Sequence, residues 1–245
     1  MCLKEGALAA NIMLLTTLAQ DAIIASLLII LSYIVGSIPF GIVIGKGICK
    51  IDIREHGSKN IGTTNAIRVL GKKVGFLVFF CDVFKGMFVI LIIKLLQYFS
   101  IWQTPCDVFF YGAAAIIGHC FSIFLKFKGG KAVATSLGVV LVLTPIPAIA
   151  CLVIFLIILY STGYVSLAST GATITVIATT WILYGFGVDP TNFLNYFIAK
   201  PSLLVSVLYS ILSLLIIFKH FKNYKRLLNH TESNFKKKKQ KMNVE

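Results

Sequence analysis

Six stretches of this chain, 22–44, 74–96, 108–125, 137–160, 165–183 and 202–218, are apolar over about the 20 residues that a helix needs to cross a ~30 Å hydrocarbon layer. A chain that repeats this pattern six times has no water-soluble way to bury its apolar surface. Its 245 residues are 58% hydrophobic and only 13% charged, against roughly a quarter charged in a soluble domain. The reading is an all-α integral membrane protein. The formal net charge of +14, from 23 Lys and Arg against 9 Asp and Glu, has the sign that suits nucleic acid. A nucleic-acid-binding fold would need a charged surface that this composition lacks, so no nucleic-acid partner is expected. The charge must sit in a few loops and a tail.

Where it sits fixes the topology. Residues 46–73 hold seven Lys and Arg, residues 126–131 hold three, and residues 219–245 hold nine, whereas the loops 97–107 and 184–200 hold only Lys200. Cationic loops stay on the cytoplasmic side, so the three basic regions should share one face. Six full crossings would separate the tail from the first basic loop. The fourth run, however, contains Thr144-Pro145-Ile146-Pro147, and prolines remove backbone donors and turn the preceding residue away from helix. Split there into short helices over 136–144 and 147–160, the chain crosses seven times, with the N-terminus outside and the C-terminus cytoplasmic. Residues 1–21, whose apolar part 7–19 is too short to span, form an N-terminal extracytoplasmic or interfacial segment. Residues 22–232 form the membrane domain, and 233–245 a Lys-rich cytoplasmic tail drawn to anionic headgroups.

The six cysteines lack any Cys-x-x-Cys pair and read as small buried hydrophobes. The four histidines, His56, His119, His220 and His230, have no ligand-like spacing, so neither a metal nor another cofactor is expected.

Four features are too polar for their surroundings. Between Asp52 and Lys73 three glycines (Gly57, Gly62, Gly71) stand among Ser58, Asn60, Thr64, Asn65 and Arg68. Such a loop can turn tightly and aim several donors at one anion, where an ordinary solvated loop would not concentrate so many uncharged donors. Asp82 and Lys85 lie three apart inside an apolar run and can pair on one helix face, either as functional groups or as an ion pair that orients helices. His119 precedes Lys128-Gly129-Gly130-Lys131, which opens an apolar helix. Flexible backbone donors, a lysine and a helix N-terminus make a plausible phosphate cradle, although no Walker A motif is present. Finally, Ser166 opens another span, and His220, Asn223 and Arg226 fall along one face of a helix that leaves the last span toward Glu232. A ring of cationic and neutral donors on one face suits more than one anion. It fits an enzyme joining a phosphorylated acceptor to an acyl donor dissolved in the bilayer, or else a transporter of an organic phosphate.

The blocks Gly36-Ser-Ile-Pro-Phe-Gly41, Asp52-Ile-Arg-Glu-His-Gly-Ser58, Asn60-Ile-Gly-Thr-Thr-Asn65 with Arg68, Asp82 with Lys85-Gly86, Gly118-His119, Phe127-Lys-Gly-Gly-Lys131, Tyr164-Val-Ser-Leu167 and the segment 220–232 together resemble the bacterial acyl-phosphate:glycerol-3-phosphate acyltransferases, the PlsY family. The resemblance implies a seven-helix inner-membrane enzyme, its site facing the cytoplasm. Such an enzyme acylates the sn-1 hydroxyl of glycerol 3-phosphate from acyl phosphate, releasing inorganic phosphate and lysophosphatidic acid, the first committed step of phospholipid synthesis. Carried over by position, it implies catalytic roles for Ser58, Arg68, His220, Asn223 and Glu232. It implies substrate or phosphate binding by Asn60, Thr64, Asn65, Asp82, Lys85, His119, Lys128, Gly129, Gly130, Lys131 and Ser166. Three positions depart from the family's usual glycine: Lys59, Ala132 and His230. The His-x-x-x-x-Asp pair of acyl-CoA-dependent glycerolipid acyltransferases is absent, since Ile61, Phe124, Lys225 and Phe235 stand five residues after the histidines.

Overall fold

Prolines decide where this chain stops being helix. A computed structural model describes residues 2–187 and 200–236. Its first helix, α1 (Cys2–Ser37), ends at Ile38-Pro39, and α2 (Phe40–Cys49) starts afresh after the proline. The run expected as one piece over 22–44 is therefore two helices, because Pro39 has no N–H with which to continue the ladder. In the other direction α1 extends without a break through 7–19, the stretch expected to lie apart from the first span. Next come α3 (Thr63–Leu70), α4 (Lys72–Tyr98), α5 (Phe109–Cys120) and a single 3-10 turn (Ile123–Leu125). The fourth run splits as the prolines require, into α6 (Val133–Leu143) and α7 (Pro145–Thr162), with Pro145 in the first turn of α7, where its missing N–H costs nothing. The remaining helices are α8 (Val165–Phe186), α9 (Leu203–Lys219) and α10 (Phe221–Leu228). Among the described residues there is no strand.

Four helical stretches are long and apolar enough to cross a membrane: Leu15–Ser37, Lys72–Tyr98, Pro145–Thr162 and Val165–Phe186. The pair α9 and α10, bent by 45°, makes a fifth if taken as one span. The helices α5 and α6 are shorter. Large apolar side chains such as Leu27, Phe80, Ile157 and Leu214 are exposed on these helices, as lipid-facing residues should be. Cys49, Cys81, Cys106, Cys120 and Cys151 are all free, with Cys120 and Cys151 buried. The Lys-rich part of the tail from 237 onward lies outside the described residues.

Close packing fixes how the helices pair. A Cβ on Gly86 would lie 2.1 Å from the Thr135 carbonyl oxygen, and one on Gly138 would lie 2.1 Å from that of Val83. Only glycine at both places lets α4 and α6 approach so closely, a small-residue device suited to a bilayer, where apolar burial cannot drive association. Helix α1 is stitched by hydroxyls to α5 and to the two residues after it: Ser32 Oγ donates to Tyr111 O at 2.5 Å, Tyr33 OH to Phe121 O at 2.8 Å and Ser122 Oγ to Ser37 O at 2.6 Å. Mid-bundle, the Tyr209 and Phe109 rings meet edge to face at 4.6 Å, and the Tyr209 hydroxyl lies 3.2 Å from Thr144 Oγ1 where α6 ends.

Long-range bonds then gather the polar regions. Arg68 donates to Ser233 Oγ, Lys131 to Asn223, and Asn234 to the carbonyl of Thr162. The first basic loop, the Gly-Gly-Lys loop, the α7–α8 turn and the tail thus meet at one end of the bundle. At another place Trp102 of the α4–α5 loop donates to Asp21 of α1 at 2.8 Å.

Candidate functional site

The first polar loop is held from below by apolar side chains. Ile53 and Ile61, at either end of the turn, are buried with Ile42, Ala66 and Val78. Between them the chain is shaped by one amide. Buried Asn65 accepts from the Ser58 N–H at 2.8 Å and donates to the carbonyls of Ile53 (2.8 Å) and His56 (3.1 Å). Gly57, at φ 61°, closes the turn where a Cβ would lie 2.4 Å from the Asn65 amide oxygen. Asn65 therefore has its amide engaged by the loop's own backbone, and Asn60 likewise accepts from the Gly62 N–H at 3.1 Å. Ser58, Lys59 and Thr64 are left exposed. Beside them Asp52 accepts from Arg54 Nη2 at 2.6 Å and Lys46 Nζ at 3.0 Å. The Arg54 hydrogen bonds hold its carboxyl well below the usual carboxylate range.

The Gly-Gly-Lys loop differs from the expected cradle in one respect. Its glycine amides face inward: Gly129 N–H donates to the Cys120 carbonyl at 3.2 Å and Gly130 N–H to that of His119 at 2.9 Å. The glycines supply closeness instead, since a Cβ on Gly130 would lie 2.3 Å from His119 Nε2. The donors left here are Lys131, exposed Lys128 and the first-turn amides of α6, which no side chain caps. Beneath, His119 Nδ1 lies 3.1 Å from Thr135 Oγ1.

The third wall is the end of α9 with α10. The expected helical face forms: Asn223 Nδ2 donates to Glu232 Oε1 at 2.7 Å, and Arg226 Nε to Glu232 Oε2 at 2.7 Å. Lys131 Nζ completes the chain by donating to Asn223 Oδ1 at 2.5 Å. Burial pushes the Lys131 ammonium down to about 8, with Glu232 opposing and Arg226 adding to the shift. His220, just past the end of α9, is pushed down to about 4 by burial and by the Lys131 charge, so it is neutral at physiological pH. Its Nδ1 lies 2.9 Å from the Ile216 carbonyl, which leaves Nε2 as the acceptor if Nδ1 carries the proton. Arg68, partly buried and lowered by that burial, faces the charges of Glu232 and Arg226 and bonds Ser233.

The structure thus joins Arg68, Lys131, His220, Asn223 and Glu232 and sets Ser58, Thr64 and Lys128 at the exposed surface of the same end. It keeps Asp82 and Lys85 in the helix core, where Lys85 Nζ bonds Asp82 at 2.9 Å and the Ile38 carbonyl at 2.7 Å. That carbonyl sits at the Pro39 break, so the pair ties the α1–α2 junction to α4. Ser166, at the start of α8, has a buried hydroxyl without a hydrogen-bond partner. Two further residues take part. Arg226 was marked by its spacing from His220 and Asn223, whereas Ser233, a lone serine in a polar tail, gave no signal.

Below this end lies an apolar cavity of about 120 Å³, lined among others by Val133, Ser136, Val140, Phe155, Tyr209 and Ile216. Val133 and Ser136 belong to the first turn of α6, next to Lys131, and Tyr209 lies about two helical turns deeper along α9 than Ile216. The three departures from glycine share one property: Lys59, Ala132 and His230 have φ of 58°, 60° and 55°. All three lie in the left-handed region that favours glycine.

A helical membrane protein with arginines, a lysine and a neutral histidine gathered at one end, above an apolar cavity, has the donor set for the anionic head of an amphiphile. The glycerol-3-phosphate acyltransferase family model matches residues 26–230. A glycerol-3-phosphate acyltransferase of Acholeplasma laidlawii is 43% identical over 223 residues, covering 86% of this chain and 93% of its own. One of Bacillus subtilis (strain 168) is 42% identical over 211 residues, covering 86% and 97%. The crystal structure of PlsY, an integral membrane glycerol 3-phosphate acyltransferase, in its glycerol 3-phosphate form matches with a TM-score of 0.71 at 38% identity, covering 86% of this chain and 95% of that one. Its lysophosphatidic acid form matches with a TM-score of 0.67 at 37% identity. The chain belongs to the glycerol-3-phosphate acyltransferase family.

Proposed function

We propose that this membrane enzyme acylates glycerol 3-phosphate to lysophosphatidic acid, and that its acyl donor is acyl phosphate. The observation that carries the reading is the joining of Lys131, Asn223, Glu232 and Arg226 in one hydrogen-bonded chain beside Arg68, with Lys131 two residues from Val133, which lines an apolar cavity. The cations suit the two phosphates, and the cavity suits the start of an acyl chain whose remainder lies in lipid.

An acyl phosphate is a mixed anhydride with a good leaving group. The sn-1 hydroxyl attacks the carbonyl carbon, the bond from that carbon to the bridging phosphate oxygen breaks, and inorganic phosphate leaves. Catalysis then consists mainly of positioning and charge stabilisation. Arg68, Lys128 and Lys131 hold phosphate oxygens, and Ser58 orients the hydroxyl or the carbonyl. The hydroxyl proton passes to an oxygen of the leaving phosphate or to neutral His220. No acyl-enzyme forms. Asn65 and Gly57 act by shaping the loop that presents Ser58, and Asp82, Lys85 and His119 by fixing the helices beneath it.

The same reading places seven crossings, with α5 and α6 added to the five apolar spans, in a bacterial inner membrane. The site then faces the cytoplasm. The meeting of Arg68 with Ser233 supports the crossing count, since the first basic loop and the tail share an end only if an even number of crossings separates them.

Purified protein in detergent, given palmitoyl phosphate and glycerol 3-phosphate, should release inorganic phosphate only when both are present. Folded protein that releases none would overturn the reading. A Ser58→Ala variant with full rate and unchanged KM would remove Ser58 from the mechanism.

A further inference from the structure

The family model ends at residue 230, yet the next residues are built into the site. Helix α7 ends at Thr162, and its last carbonyls have no partners within the helix. The tail supplies partners for the last two and for the carbonyl of the capping Gly163. Asn234 Nδ2 donates to the Thr162 carbonyl at 3.0 Å, the Phe235 N–H to that of Gly163 at 2.6 Å, and Lys236 Nζ to that of Ser161 at 2.9 Å. The Lys236 ammonium also meets the negative end of the helix dipole. Asn234 is braced in turn by the Lys236 N–H, 2.8 Å from its amide oxygen. Gly163, at φ 77°, makes room for it: a Cβ there would lie 2.2 Å from the Asn234 amide oxygen. One residue before this cap, Ser233 Oγ accepts from Arg68 Nη2. The segment is therefore fastened at one end to the α7–α8 turn and at the other to the arginine of the first loop. Glu232, the hub of the Lys131–Asn223–Arg226 network, immediately precedes it.

We propose that residues 233–236 are a positioning strap: by capping α7 and holding Arg68 through Ser233, they fix the guanidinium relative to the Lys131–Asn223–Glu232 network and so set the affinity for a substrate phosphate. Ser233 is a positioning residue, since it acts on substrate through Arg68. The strap also couples two parts of the substrate site, because α7 and α8 line the apolar cavity through Phe155 and Thr173. A hydrogen-bonded serine suits this task. It directs one N–H of the arginine without bringing a charge that would compete with phosphate for the guanidinium.

The inference rests on the acyltransferase reading, and its test separates the two. In the assay with palmitoyl phosphate and glycerol 3-phosphate, Ser233→Ala and Asn234→Ala should each raise the KM of one substrate about tenfold, as expected for losing one hydrogen bond to a charged group, with little change in kcat. Ser233→Thr, which keeps the hydroxyl, should restore the wild-type KM. KM values of Ser233→Ala within twofold of wild type for both substrates would overturn the strap, and so would a loss that Ser233→Thr shares in full or one confined to kcat. If Asn234→Ala fails to fold, Ser233→Ala decides alone. If the wild type does not turn over, the acyltransferase reading fails by itself. The strap is then judged on stabilisation against thermal unfolding by inorganic phosphate, which Ser233→Ala should diminish and which, undiminished, would overturn it.

Discussion

Lys131 Nζ donates to Asn223 Oδ1 at 2.5 Å, across 92 residues of sequence, and so ties the loop before α6 to the helix after α9. This one bond joins the Gly-Gly-Lys loop to the carboxylate hub at Glu232. The same lysine sets the pH behaviour of the site through its burial.

Burial pushes Lys131 down to about 8, so the charge it offers an anion is fully present below that pH and is lost as pH rises through it. The KM for a phosphate substrate should therefore climb between about pH 7 and pH 9.5. Lys131→Arg, charged throughout this range, should flatten the climb. Steady-state kinetics across the range checks this, and a wild-type KM that stays flat would remove Lys131 from phosphate binding.

Asn223→Ala removes an acceptor from Lys131 and a donor from Glu232 together. We expect kcat/KM to fall by roughly tenfold to a hundredfold, the scale of one or two hydrogen bonds to charged groups. The fold should survive, since Arg226 still holds Glu232 at 2.7 Å. Kinetics paired with circular dichroism decides it; an unfolded variant would mean the amide is structural.

The Asp82–Lys85 pair is buried on both sides, with side chains 3% and 2% exposed. Lys85→Met, which leaves the carboxylate without its cation, should cost about 3–5 kcal/mol. The double variant Asp82→Leu/Lys85→Met should recover much of that loss. Thermal unfolding in detergent measures both, and equal losses in single and double variants would contradict a mutual pairing.

Lys59, Ala132 and His230 adopt left-handed backbone without being glycine. Replacing each by glycine relieves about 1–2 kcal/mol of steric cost and adds back some chain entropy in the unfolded state. Each variant should gain about 0.5–1 kcal/mol of stability, read as a raised midpoint of unfolding. A lowered midpoint at all three would show that their side chains hold the site together by contacts that outweigh the backbone cost.

How much of this was legible beforehand follows from the range of the interactions. The helical membrane class came from runs of apolar residues, and the break at Pro145 from the absence of a single N–H. Both are local properties that a residue carries wherever the chain goes. The helical face that presents Asn223 and Arg226 to Glu232 followed from spacing alone, because three residues make nearly one turn. The concentration of donors around Ser58, Lys131 and His220 was likewise visible as composition against an apolar background.

What tertiary structure alone decided is which partner each polar group took. Asn65 and Arg68 are equally polar on paper, but Asn65 is enclosed by the loop it shapes and Arg68 reaches across to Ser233. The Gly129 and Gly130 amides, free in principle to bind an anion, turn inward because α5 passes close enough to receive them. Sequence determines what a group can bond. Which bond it makes is decided by the path of distant helices, because a buried donor or acceptor must take the partner that the fold brings within reach.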